Sequence, residues 1–259
     1  MFRLFGGLLS ISLATLVAAD CAPESIQKDW GSIEFHGAEV VIEIKTEPAK
    51  RKVAIPRLNN RMKSLTADGT ELKLKFVPEP DQWMIALPKA LAIPATLRLA
   101  LIEPARLCAD PFVVQANDSG VIELPAHHAI THGEKLRFEP QPHKNTIGYW
   151  TVEKDWAEWS FEVKQAASLR CEVNQGCGKG QGGSNVELRC IRVSDQSVVS
   201  ISFEVEDTGH FQNFVPRSVG AFKLTPGNYR LEARPKAKAK NAVCDIRSIR
   251  LVPEQAKSR

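Results

Sequence analysis

Apolar and polar residues alternate over short runs in this chain, and no long stretch repeats every third or fourth position. The runs "EVVIEIKT" (39–46), "TELKLKFV" (70–77), "QWMIALP" (82–88) and "ATLRLALIE" (95–103) each read as a strand bounded by proline, glycine or charged turns. The pattern continues through "WSFEV" (159–163), "SLRCEV" (168–173), "NVELRCIRV" (185–193), "VVSISFEV" (198–205), "YRLEAR" (229–234) and "CDIRSIRLV" (244–252). Many short strands at this spacing predict an all-β chain built as sandwiches. The alternation breaks at "ADPFVVQANDS", where proline, asparagine and aspartate cluster. We therefore expect a linker over 109–118 between two β-sandwich domains, 28–108 and 119–253, each of ordinary domain size.

The N-terminus adds a different signal. Met1-Phe2-Arg3 supplies a positive start, Leu4 to Leu16 an apolar stretch, and Val17-Ala18-Ala19 a small-residue cleavage site, so residues 1–19 read as a signal peptide. The apolar stretch is short and soon followed by polar residues, which argues against a stable membrane span after cleavage. Asp20 before Cys21 does not suit a lipidation site. The expected location is secreted or periplasmic.

Charge excludes one class of partner. The formal charge is +4, and cleavage would remove Arg3 and no acid. That mild excess does not predict a nucleic-acid binder. The one basic run, "RPKAKAKN" (234–241), reads as a solvated hairpin tip or, alternatively, as a patch for a polyanion such as an acidic glycan.

The chain holds six cysteines, an even number that permits disulfides in an exported protein without choosing among the pairings. Cys171 and Cys190 fall on the apolar phase of two runs that a hairpin would make neighbours; a bonded pair and two buried thiols both fit. No CxxC occurs. "HHAITH" puts His128 and His132 on one face of an extended strand beside His127, a zinc-like start that lacks further ligands.

"NQGCGKGQGGSN" (174–185) packs five glycines into twelve positions. A dinucleotide fingerprint would have to open a helix, and a strand-like run comes next instead. A phosphate loop would need serine or threonine after its lysine, and Lys179 has Gly180. Cys177 with His210 lacks an orienting third residue, so no catalytic constellation forms and the chain reads as a non-enzyme. Glycines between strands fit a bare-backbone loop that lets a bulky partner come close.

Longer stretches carry a resemblance. "GVIELPAHHAITHGEKLRFEPQPHKNTIGYWTVEKDWAEWSFEV", "QGCGKGQGGSNVEL", "FEVEDTGHFQNFVPRSVGAFKLTPGNYRLEARPK" and "VCDIRSIRLVP" resemble a module appended to secreted bacterial sulfatases and α-L-fucosidases. That module is similar in layout to calcium-associated carbohydrate-binding jelly rolls of galactose-binding-like fold. "VAIPRLNNRMKSLTADGTELKLKFVPEPDQWMIALP" with "ATLRLALIE" resembles the small β-sandwich that follows the catalytic barrel of α-L-fucosidases. The run before it has no counterpart of that barrel, so the resemblance implies accessory parts kept as a free-standing secreted protein. It also implies a structural calcium held at Glu123 and Asp245, with Pro125 where a further acid would stand.

Sugar sites combine an aromatic platform with polar partners for the hydroxyls. "GYWTVEKDWAEW" supplies Tyr149 and Trp150 where a loop meets a strand, each readable as platform or core, and Trp159 as core. The polar loop residues Gln175, Lys179, Gln181, His210, Gln212 and Asn213 are the other candidate contacts. Two readings fit these residues. One is a non-catalytic binder of a polysaccharide or glycan, acidic glycans included; the other is a structural or protein-interaction sandwich of the cell envelope with no sugar site.

Overall fold

The computed structural model describes residues 24–69, 74–108 and 112–254. The expected signal peptide, Cys21, the start of the 70–77 run and the first linker residues lie outside them. Among the described residues eight strands form the first part: β1 (Ser25–Lys28), β2 (Gly31–His36), β3 (Glu39–Ile44), β4 (Lys52–Pro56), β5 (Met62–Ala67), β6 (Lys75–Pro78), β7 (Gln82–Ala86) and β8 (Ala95–Leu101). They pair as a five-stranded sheet, β1-β2-β3-β8-β5, and a three-stranded sheet, β4-β7-β6. Alternation decides which side chains enter the core: Leu97, Leu99 and Leu101 of β8 are buried while Arg98 points to solvent and pairs with Glu39.

Among the described residues twelve strands form the second part: β9 (Val113–Val114), β10 (Ile122–Pro125), β11 (Ile130–His132), β12 (Arg137–Glu139), β13 (Thr146–Gly148), β14 (Trp156–Val163), β15 (Ala167–Cys177), β16 (Asn185–Arg192), β17 (Val198–Glu204), β18 (His210–Leu224), β19 (Gly227–Ala237) and β20 (Asp245–Pro253). One sheet runs β12-β13-β20-β15-β18 with β10 also on β20; the other runs β11-β14-β19-β16-β17 with β9 also on β14. From β14 onward the chain crosses between the two sheets at every step but the β16–β17 hairpin, the connectivity of a jelly roll. Trp159 and Phe161 from β14 and Phe222 from β18 fill the space between them. The chain is all-β and built from sandwiched sheets. Among the described residues no helix is long and apolar enough to cross a membrane.

Two expectations change. The segment containing His210 is the start of the longest strand, not a connection between strands. Its pattern hid it because β18 is a sheet edge: most of its side chains are partly or fully exposed, and Pro216 is tolerated where a missing N–H breaks no ladder. "RPKAKAKN" is not a hairpin tip either. β19 and β20 lie in opposite sheets, so 234–237 finishes β19 and 238–241 begins the arch from one sheet to the other.

The two sets of sheets are joined by specific contacts. Arg57, 3% exposed, donates to the Ala129 carbonyl and, at 3.3 Å, to the Thr131 hydroxyl. Trp83 packs against Phe138, and the Met62 amide donates to the Pro140 carbonyl at 3.1 Å. Pro140 adjoins Glu139, a buried acid at the end of β12. The first set of sheets thus braces the strand that carries this carboxylate.

Candidate functional site

The chemistry of the molecule concentrates at one end of the β12-β13-β20 ladder. Arg137 faces Gly148 across β12 and β13, and Ile147 faces Ile246, which brings Gly148 beside Asp245. Gly148 has no side chain, and two carboxylates use the space. A Cβ there would stand 2.8 Å from Oε2 of Glu139 and 3.1 Å from Oδ1 of Asp245. Both acids are withdrawn from solvent, Glu139 at 2% and Asp245 at 5% exposure. Lys144 closes a 2.5 Å ion pair with Glu139 and not with Asp245. Burial, together with the neighbouring Glu139, pushes the Asp245 carboxyl well above the usual carboxylate range, and Lys144 only partly opposes this.

These groups line an open cleft of about 310 Å³ with Tyr149, Trp150, Thr151, Phe211, Gln212 and Ala242. Tyr149 is 49% exposed, and the Arg137 guanidinium lies 3.4 Å over its ring. The cation covers one face and fixes the ring's orientation. Tyr149 also has φ 59°, a left-handed backbone that a bulky residue adopts only under constraint. The ring stands outward at the cleft mouth. The cleft therefore offers an aromatic surface, a carboxylate held by lysine, a second carboxyl disposed to keep its proton, and the amide of Gln212.

The glycine loop serves this cleft from behind. Cβ atoms on Gly176 and Gly178 would collide with the backbone and ring of Phe211, and one on Gly182 with the Asp207 amide. The bulky partner expected from the sequence is Phe211, whose ring forms part of the cleft wall. No phosphate cradle is needed to account for the glycines.

Of the residues expected at the site, Tyr149, Trp150 and Gln212 meet in the cleft, but Trp150 does so as a wall. It is 1% exposed and donates its indole N–H to the Asp155 carbonyl at 2.8 Å, so it is core and not a platform. Gln175 is fully buried and donates to the Glu206 carbonyl, which removes it from any rim. Gln181 accepts from the amides of Asn241 and Ala242 and so staples the glycine loop to the lysine-rich arch. Lys179, on the turn after β15, and His210 and Asn213, at the start of β18, are exposed outside the cleft; Asn213 donates to the Thr208 carbonyl and His210 accepts from the Gln212 amide. Loop polarity alone could not separate these structural bonds from contacts.

The metal expectation meets a geometric obstacle. Glu123 lies opposite Arg250 on β20, five residues from Asp245, a separation of about 16 Å at a strand rise of ~3.3 Å. The register does not bring these two carboxylates to one place. Asp245 instead meets Glu139, which sequence reasoning missed because a buried acid on a three-residue strand looks like any solvated polar position. Lys144, Thr151, Phe211 and Ala242 were missed too, since only tertiary packing brings them together.

The remaining candidates take structural places. His127 and His128 sit in a short turn, their rings 4.1 Å apart, with His128 also packed on Phe112 at 4.1 Å. Burial lowers them to about 4 and about 3, so both are neutral rings. His132 is elsewhere, stacked 3.8 Å from Trp156. Cys177 does stand opposite His210 in the β15–β18 register, but burial, with Asp207 and Asp245 nearby, raises its thiol to about 11. That is the reverse of an activated nucleophile.

No protein-family model matches the chain, and no curated protein matches it. Solved structures similar to it include the α-L-fucosidase of Vibrio sp. strain EJY3, at 12% identity and TM-score 0.35 over 91% of this chain. The chain spans 42% of that fucosidase's length. The C-terminal CBM6 of the marine laminarinase LamC from Zobellia galactanivorans aligns at 15% identity and TM-score 0.42, over 51% of this chain and 98% of the module. A family 35 carbohydrate-binding module from Clostridium thermocellum aligns at 13% identity and TM-score 0.40, over 52% of this chain and 98% of the module.

Proposed function

We propose that this protein is a non-catalytic carbohydrate-binding protein that holds a sugar ring in the cleft between Tyr149 and the Glu139–Asp245 pair. The observation that carries the reading is the half-exposed Tyr149 ring standing at the mouth of a cleft with two buried carboxyls. A pyranose has an apolar face that packs on a ring and hydroxyls that need fixed donors and acceptors. The Glu139 carboxylate accepts from such hydroxyls, Asp245 accepts and, over the pH range where its raised carboxyl keeps the proton, donates, and Gln212 does both. Buried groups of this sort discriminate strongly, because a ligand lacking the matching hydroxyl leaves them unpaired.

Binding of this kind requires no bond cleavage. Glu139 is engaged by Lys144, and an acid tied to a cation beside a second acid suits hydrogen bonding better than proton transfer to a leaving group. The test is retention on immobilised neutral and acidic polysaccharides, with a glycan array for the sugar type. Retention that Tyr149→Ala weakens supports the reading. Failure of the wild-type protein to bind any glycan overturns it, and release of reducing sugar from a bound polymer would overturn the non-catalytic part.

A further inference from the structure

Five cysteines lie among the described residues, and all five are free thiols in the structure. Two of them are placed for more than packing. In the β15–β20 ladder Gln175 pairs with Ile246 and Gly176 with Asp245. The paired register ends there; continued one step beyond the start of β20 it sets Cys177 opposite Cys244, and the Cys177 thiol is near enough to act on that of Cys244. Directly opposed residues in such a ladder point to the same face, with Cα atoms about 4.5–5.5 Å apart. A disulfide spans Cα separations of about 4.4–6.8 Å. The side-chain contacts agree: Sγ of Cys177 is 3.9 Å from the carbonyl oxygen of Val243, the residue bonded to Cys244, and both thiols face the core at 0% and 1% exposure.

We propose that Cys177 and Cys244 close into a cross-strand disulfide when the chain folds in an oxidising compartment. Each thiol gives up a proton, and the pair passes two electrons to the disulfide of an exchange partner, which leaves as a dithiol. Attack by one thiolate forms a mixed disulfide, and the second thiol displaces the partner. Burial raises both thiols in the folded state, so the step belongs to folding, before the core closes over them. The bond joins the root of the glycine loop to the residue before Asp245, locking together the two segments that carry the back wall of the cleft. Cys171 and Cys190 also approach each other, but from facing sheets and not across one ladder.

The test is refolding of the reduced, unfolded full chain in glutathione buffers of increasing oxidised fraction, followed by acid quench, alkylation in denaturant and peptide mapping. We expect a peptide crosslinked between Cys177 and Cys244, a mass lower by two hydrogen atoms, and a melting temperature roughly ten degrees above that of the reduced protein. Cys177→Ser and Cys244→Ser should each abolish the crosslink. Full alkylation of both cysteines after oxidative refolding overturns the proposal, as does a map in which Cys177 is bonded only to Cys171 or Cys190. The wild-type map decides the matter even where a serine variant fails to fold.

Discussion

Glu139 and Asp245 come together over the bare backbone of Gly148, where a single methyl group would lie 2.8 Å from one carboxylate and 3.1 Å from the other. Two acids on strands remote in sequence share a cleft because the residue between them has no side chain. Gly148→Ala should drive them apart and cost about 1–3 kcal/mol of stability through overpacking. Glycan retention should fall together with the melting temperature, measured by affinity electrophoresis and thermal melts. Unchanged retention would mean that the carboxyl pair does not contact the ligand.

Tyr149 tests whether strain is kept for binding. Tyr149→Gly relieves the left-handed backbone, releasing on the order of 1 kcal/mol, and loses the Arg137 stacking contact of similar size. Stability should stay within about 1 kcal/mol of wild type. Glycan affinity should drop about tenfold, the effect of losing an aromatic contact worth ~1.4 kcal/mol. Denaturant titration and isothermal calorimetry separate the two quantities.

Asp245 predicts an alkaline dependence. Its carboxyl is raised, so the folded chain holds that proton to higher pH than the unfolded chain. Its contribution to stability is fully present below the ordinary carboxylate range and is lost as pH rises through the raised value. Asp245→Asn, which mimics the protonated group, should flatten the stability profile over that window in chemical denaturation at several pH values. A profile unchanged by the substitution would show that Asp245 is ionised throughout.

The histidine pair predicts the opposite limb. His127 and His128 are lowered to about 4 and about 3 by burial, His127 with Arg61 nearby and His128 with His127, Arg106 and Arg61, while Glu103 pulls His128 the other way. The unfolded chain takes up these protons near pH ~6.5. Stability is therefore fully present above that pH and is lost as the pH falls through the lowered values. His128→Phe keeps a ring against Phe112 and should shift the acid unfolding midpoint downward, read by circular dichroism.

Arg57 predicts a mechanical consequence. It is a buried cation held by the Ala129 carbonyl and the Thr131 hydroxyl across the junction between the two sets of sheets. Arg57→Ala should cost about 2–3 kcal/mol, since charge-assisted hydrogen bonds are lost and the Ala129 acceptor is left buried. Calorimetry should show the single unfolding transition broadening or splitting. Glycan binding should weaken less than with Gly148→Ala, because Arg57 touches none of the cleft residues.

Most strands of the sandwiches were legible in the alternation of apolar and polar residues, because a half-buried strand must place every second side chain in the core. β14, with Trp159 and Phe161 inward, is such a case. β18 was not legible, since an edge strand with a largely wet surface carries no alternation to read. The glycine loop was legible as a place of close approach. That Phe211 is what approaches was not.

What the sequence by itself determined about this protein is its class, all-β sandwiches, and the absence of the local signatures that phosphate loops and zinc ribbons write into a few neighbouring residues. What only the tertiary structure decided is the site. Tyr149 and Trp150 are neighbours and look alike in sequence, yet one stands outward and the other is sealed in the core. Asp245 was expected to meet Glu123 and meets Glu139 instead, because strand register, and not the type of residue, sets which carboxylates share a space. Register depends on how every strand of a sheet packs at once, a property that no short stretch of the chain carries.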